Sequence, residues 1–173
     1  MPRSAGGRAK LVHLLICGHR HQRDGGAAVW AAPQVKALLR ERELVDVRAM
    51  RLGELAMSHL LNVPCGAPLV IADASNNAAP GEIVVRSLDD LIDEPDGPSP
   101  HSARGRPIDQ LLGVANCLAE APLQGEFVGL GGADFEVGRG VSPKVADRLG
   151  AYAEAIADRV AHLQEERGKI DSG

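Results

Sequence analysis

A chain of 173 residues fits one domain and is long enough to bury a substantial core. Apolar residues make up 45% but aromatics only 2%, so that core has to be built from Leu, Val, Ile and Ala. A net charge of -4 lacks the basic excess of a nucleic-acid binder, and neither a long apolar run nor a signal-peptide core points to a membrane.

In chain order, residues 1–9 read as a polar tail. "LVHLLICG" is a continuous apolar run ending in Gly18, the pattern of a strand buried on both faces. "AAVWAAPQVKALLRERE" has helical spacing at Val29, Val35, Leu38 and Leu39, with Pro33 expected in the first turn. "LVDVRAM" alternates as a second strand, and a helix follows around "RLGELAMSHLL". "APLVIADA" is another buried strand. The turn in "NNAAPGEIVVRS" then predicts a hairpin-like antiparallel addition to the sheet.

The Pro/Gly/Ser-rich "DEPDGPSPHSARGRP" is too long for a simple connection, which makes it a functional candidate. "IDQLLGVANCLAEA" is helical, "GEFVGLGG" is a strand, and "ADFEVGRGVSP" is a loop. One long helix is expected to close the domain, with Ser142 as N-cap and Pro143 at its first position. "EERGKIDSG" reads as a tail, so the domain is expected over 10–165 and a tail over 166–173. The order of elements indicates a three-layer α/β fold, with a mostly parallel twisted sheet of about five strands and helices on both faces.

Open parallel sheets bind ligands outside the carboxyl ends of their strands. That rule selects the loop after Cys17, the residues after Ile71 and the loop after Leu130. Asp73 leaves its strand there, able to face the crevice or to cap the next turn through its own backbone. His101 lies in the long loop, where a histidine is either solvated or a ligand. His19 and His21 flank Arg20 and point to opposite sides of an extended backbone. Asp24 precedes Gly25-Gly26 and could cap the first helix or face the crevice. Imidazole with carboxylates suits a divalent metal such as nickel or zinc. Cys17, Cys65 and Cys117 are odd in number and far apart, as in the reduced thiols of a cytoplasmic protein. Cys65 lacks an evident base, and Cys117 is expected in the core.

From about Leu11 to Val160 the chain resembles the hydrogenase maturation proteases, endopeptidases that trim the C-terminal extension of the nickel–iron hydrogenase large subunit. That family opens with a strand leading to Gly-Asn, four variable residues, two adjacent acids and a glycine. Here the stretch reads Gly18-His19, "RHQR", then Asp24-Gly25-Gly26. "IADASNNAAPGEIVV" is similar to the strand that carries the family's second metal ligand, at Asp73. The loop histidine of the family matches His101, and "GLGGADFEVGRGVSPKV" resembles its Gly-rich segment ending in Ser-Pro.

The chain departs from this pattern where Gly25 stands at the first metal-ligand acid and His19 replaces Asn. The resemblance implies nickel recognised in the substrate by Asp73 and His101, with Asp24, His21 or His19 supplying the third arm. It implies a water activated by the metal or by Asp73 as general base, with Asp24 as second catalytic acid. It also implies a hydrogenase large-subunit precursor as partner, a monomer, and no cofactor of the protein's own. Loss of the acid at Gly25 leaves a second reading open, a non-cleaving maturation or interaction protein on the same fold. A third is an unrelated hydrolase using Cys65.

Overall fold

The structure, a computed structural model, describes residues 11–103 and 105–170. The stretch read as an N-terminal tail lies outside the described residues. The elements are β1 (Val12–Ile16), α1 (Ala27–Glu41), β2 (Val47–Arg51), α2 (Met57–Leu61), β3 (Pro68–Asn76) and β4 (Ile83–Ser87). They continue with α3 (Leu88–Asp93), β5 (Ser99–Pro100), α4 (Ile108–Leu118), β6 (Gln124–Gly131), α5 (Pro143–Ala146) and α6 (Leu149–Ile170).

The sheet runs β2-β1-β3-β6-β4, with the two-residue β5 added antiparallel to the end of β3. β2, β1, β3 and β6 are parallel, and β4 is antiparallel to β6. This is the three-layer, mostly parallel arrangement that the apolar runs predict. Alternate residues of β1 serve different layers: Val12, Leu14 and Ile16 pack under α1 and α6, while Leu15 and Cys17 join the core under α2, α3 and α4. Tyr152 of α6 is fully buried against the sheet. Its hydroxyl lies 2.9 Å from the backbone carbonyls of both Asp73 and Val128, on the neighbouring strands β3 and β6. Arg159 adds a two-pronged bond to Glu126, at 2.6 Å on each side.

Several expectations are corrected. The antiparallel strand β4 does not form a hairpin with β3, because both edges of β3 are already filled by β1 and β6. Pro33 sits in the interior of α1, not its first turn. Its ring lies on the exposed face of the helix. The closing helix is broken into α5 and α6, and α6 continues to Ile170 through residues read as a tail. Cys117 is exposed rather than core. The short helix α3, unseen in the sequence, is started by Ser87, whose hydroxyl accepts the Asp90 N–H at 3.0 Å.

One buried polar atom lacks a partner among the described residues, Nε2 of His13 in β1. His13 is 4% exposed, and burial followed by the charge of Arg48 lowers its pKa below the ordinary 6.5. The unfolded chain therefore binds the proton more readily, and stability falls as pH drops through 6.5 towards the lowered folded value. His13→Leu is expected to raise unfolding stability by about 1 kcal/mol at neutral pH. It should also remove that acid-side loss between about pH 7 and 5. Urea unfolding of both proteins across this range is the check, and an unchanged pH slope would show that His13 is not its source.

Candidate functional site

β3 is the longest strand and is buried along nearly its whole length, so the residues at its carboxyl end are rigidly placed. Asp73 is fully buried there. Its Oδ2 accepts the backbone N–H of Ser102 at 2.7 Å, and its Oδ1 accepts the Ser102 hydroxyl at 3.0 Å. The backbone N–H of His101 donates to the carbonyl of Ala74 at 2.8 Å. The long loop is thus stitched to the strand end on both sides of His101. Arg86, nearly buried on β4, holds the approach to it by donating to the carbonyls of Pro98, Asp90 and Glu94.

The His101 ring is half-buried and oriented from two directions. Nδ1 lies 2.8 Å from Oδ1 of Asn76, so with that oxygen accepting, Nδ1 carries the proton and Nε2 carries the lone pair. Phe135 stacks on the ring with centroids 4.1 Å apart. Neither Asn76 nor Phe135 was singled out by the sequence. Asn76 could have been, since it directly follows the Asp73–Ser75 strand exit.

The loop after β1 supplies the opposite wall. Gly18 has φ +113°, and a Cβ there would stand 2.2 Å from the carbonyl oxygen of Gly25, so only glycine fits. Asp24 is fully buried and does not cap the first helix, whose N-cap is Gly26. Instead Oδ2 of Asp24 accepts the N–H groups of Ala133 and Asp134 and the Ser142 hydroxyl, while Oδ1 accepts the Ser142 N–H at 2.6 Å. Ser142 therefore spends its hydroxyl on Asp24 rather than on its own helix. Burial works to raise the Asp24 pKa, but these donors together outweigh it and hold the carboxyl below its ordinary value.

The side chain that faces His101 from this loop would be that of position 25. A Cβ on Gly25 would lie 3.3 Å from Cδ2 of His101 and 3.0 Å from Cβ of Gln22. His19 turns the other way, with its ring against Gly53. His21 is exposed, and its backbone carbonyl accepts the Gly138 N–H at 2.8 Å. The structure thus brings together Asp73, the His101 loop and position 25. Asp24 faces the loop after β6, and His21 lies on the surface. Among the described residues no group of three or more His, Cys, Asp or Glu is placed to hold a metal. Cys65 borders a cavity of about 390 Å³ with no histidine in its lining, so no imidazole base accompanies that thiol there.

The geometry of Asp24 makes it a pH-linked clamp. A carboxyl held below its ordinary value of 3.8 stabilises the fold above that value, and the contribution is lost as pH falls through the depressed value. Asp24→Asn replaces one of the two acceptor oxygens by an NH2 group, which then faces a donor instead of accepting from it, and is expected to cost about 2–3 kcal/mol at neutral pH. Its stability curve should also flatten below about pH 4 relative to the parent. Chemical denaturation at several pH values reads both effects.

At the level of sequence, no protein-family model and no curated protein matches the chain. Solved structures do. The hydrogenase maturating endopeptidase HybD from E. coli superposes with a TM-score of 0.65 at 23% identity, over 90% of this chain and 93% of that one. The nickel–iron hydrogenase maturation protease HybD from Thermococcus kodakarensis gives 0.62 at 21% identity, over 84% and 95%. The maturation protease HycI from the same organism gives 0.61 at 17% identity, over 88% and 93%. The chain has the fold of the nickel–iron hydrogenase maturation proteases.

Proposed function

We propose that the protein is a maturation endopeptidase that removes the C-terminal extension of a nickel-loaded hydrogenase large-subunit precursor. The observation that carries this reading is the convergence of Asp73, His101 and position 25 at the carboxyl edge, on a fold shared with such proteases. In peptide hydrolysis a water must lose a proton as it attacks, and the leaving amine must gain one. His101, with Nδ1 bonded to Asn76, offers Nε2 for that transfer. Asp73, bonded through Ser102, is a carboxylate base once the 99–102 segment shifts, and otherwise positions His101. Nickel belongs to the substrate in this scheme and is a mark of readiness. Two donor residues of this chain face it, which suits recognition of a metal already held by the precursor. The protein acts as a monomer in the cytoplasm. Three unbridged cysteines suit a reducing compartment, and among the described residues no helix is long and apolar enough to cross a membrane.

A second reading, a partner-binding protein that does not cut, is favoured by one observation. Gly25 carries no acid, and the adjacent Asp24 is fully engaged with Ala133, Asp134 and Ser142.

Intact mass spectrometry of nickel-loaded precursor with and without the protein separates these readings. Loss of a discrete C-terminal peptide is expected. Asp73→Asn and His101→Ala should each slow that loss by about 100-fold or more while circular dichroism stays unchanged. Unchanged mass, with a precursor that its host can process, would leave the non-cleaving reading.

Position 25 gives an independent measurement. Gly25→Glu adds a carboxylate beside His101 on a backbone outside the left-handed region, where the new Cβ needs a small shift from Cβ of Gln22 at 3.0 Å. Calorimetry should show Ni²⁺ binding tightened by about ten-fold or more, worth about 1.4 kcal/mol. The gain should vanish in Gly25→Glu/His101→Ala. No gain in the single variant would show that position 25 does not face a metal-competent histidine.

A further inference from the structure

Among the described residues the sheet ends on β2, and no further strand covers that end. α1 lies against α6 and β3, leaving β2 exposed along four of its five residues. Between α1 and the β2 end runs a groove of about 1100 Å³. Its floor is aliphatic, with Ile16, Leu39, Val47 and Ala49, and its rim carries Lys36, Arg40 and Arg51 against the single acid Glu43. None of the three cations has an ion-pair partner among the described residues. The neighbouring Arg42, in contrast, is bonded to Glu154 and Asp158. Arg51 also lines a smaller cleft with Gly18, His19 and Arg20, so it stands between the groove and the loop after β1.

We infer that this groove is a docking channel for an extended, acidic segment of a partner protein, laid alongside β2. Among the described residues β2 pairs only with β1, and its outer edge presents backbone N–H and C=O groups to an incoming strand. Val47, Ala49 and Arg51 alternate onto the groove side, so a strand added there would lay every second side chain over the aliphatic floor. Its carboxylates would meet Lys36, Arg40 and Arg51. Charge selects this occupant over the others. The chain's own first ten residues, "MPRSAGGRAK", carry three cations and no acid, the wrong sign for this rim. A second copy joined β2 to β2 would crowd Arg48 and Arg51 of both chains along one seam, a like-charge arrangement that discourages self-pairing. The inference goes beyond the proposed activity and holds whether or not the chain cuts.

The test uses the full-length protein and a fluorescent synthetic peptide, Glu-Glu-Val-Thr-Val-Thr-Val-Glu-Glu, with a matched peptide carrying Lys for Glu. Fluorescence anisotropy should show saturable binding of the acidic peptide alone, weakening as salt rises. Lys36→Glu/Arg40→Glu, at two exposed positions of α1, should weaken it by about ten-fold or more. Amide shifts on titration should concentrate in Val47–Arg51 and the facing turn of α1. No binding at millimolar peptide, equal binding of the Lys peptide, or shifts confined to other surfaces would overturn the inference. A concentration-dependent dimer in sedimentation, abolished by Ala49→Pro, would overturn it as well, by making a second copy the occupant. Peptide binding is read without the precursor, so its failure leaves the processing experiment standing.

Discussion

The carboxylate of Asp24 joins two loops that are distant in sequence, at the centre of a seam that backbone bonds and the Arg23–Asp134 ion pair extend. Its four donors lie in the segment after β6, between Ala133 and Ser142, while Asp24 itself belongs to the turn after β1. Backbone bonds extend the same seam, from Asp24 N–H to Asp134 and from Gly138 N–H to His21. An ionised carboxylate buried without donors would be strongly unfavourable, so the two loops are only compatible with the fold when they lie together. The seam also holds Phe135 in place, and Phe135 is the face on which the His101 ring stacks. One buried charge thereby sets the distance between the loop after β1 and the histidine opposite.

The other half of the candidate site depends on β3. Its two edges are filled by parallel partners, so its exit residues inherit the rigidity of the sheet centre. Ser102 is then fixed by a carboxylate on that rigid exit, and Tyr152 reaches the backbone of the same residue from the opposite layer. Arg86 ties the end of α3 to the loop that follows, donating to the carbonyls of Asp90, Glu94 and Pro98. A long connection that would otherwise be costly to order is held at both ends, with His101 between.

The sheet was legible in the sequence because its central strands are buried on both faces and read as unbroken apolar runs. "LVHLLI" and "PLVIADA" leave little choice of structure. β4 was seen as a strand, but its partner was not, since "EIVVRS" says nothing about which edge is open. Asp73 and the His101 loop were selected by the rule that strand carboxyl ends form crevices, and they do lie together. The role of Asp24 was hidden because its partners stand 109 to 118 residues away, and nothing local distinguishes a clamp from a cap. Cys117 was misjudged for a related reason. A thiol in an apolar helix looks internal until the helix is turned against its neighbours.

Gly25 sharpens what the departure from the protease pattern means. Gly18 is held to glycine by its positive φ and by the carbonyl it approaches, and a Cβ on Gly26 would press within 2.5 Å of the His19 carbonyl. Gly25 is under neither constraint. Its backbone is outside the left-handed region, and a Cβ there meets no backbone atom, only Cβ of Gln22 at 3.0 Å and Cδ2 of His101 at 3.3 Å, contacts that a shift of a few tenths of an ångström relieves. The fold therefore has room for an acid at the position that faces His101, and the glycine there is not a steric requirement. With the carboxylate gone, a metal presented by the partner would meet one fewer negative group on this wall. More of the affinity for that partner would then have to come from contacts outside the metal, where an unpaired row of Lys36, Arg40 and Arg51 beside an aliphatic floor has the chemistry to supply it.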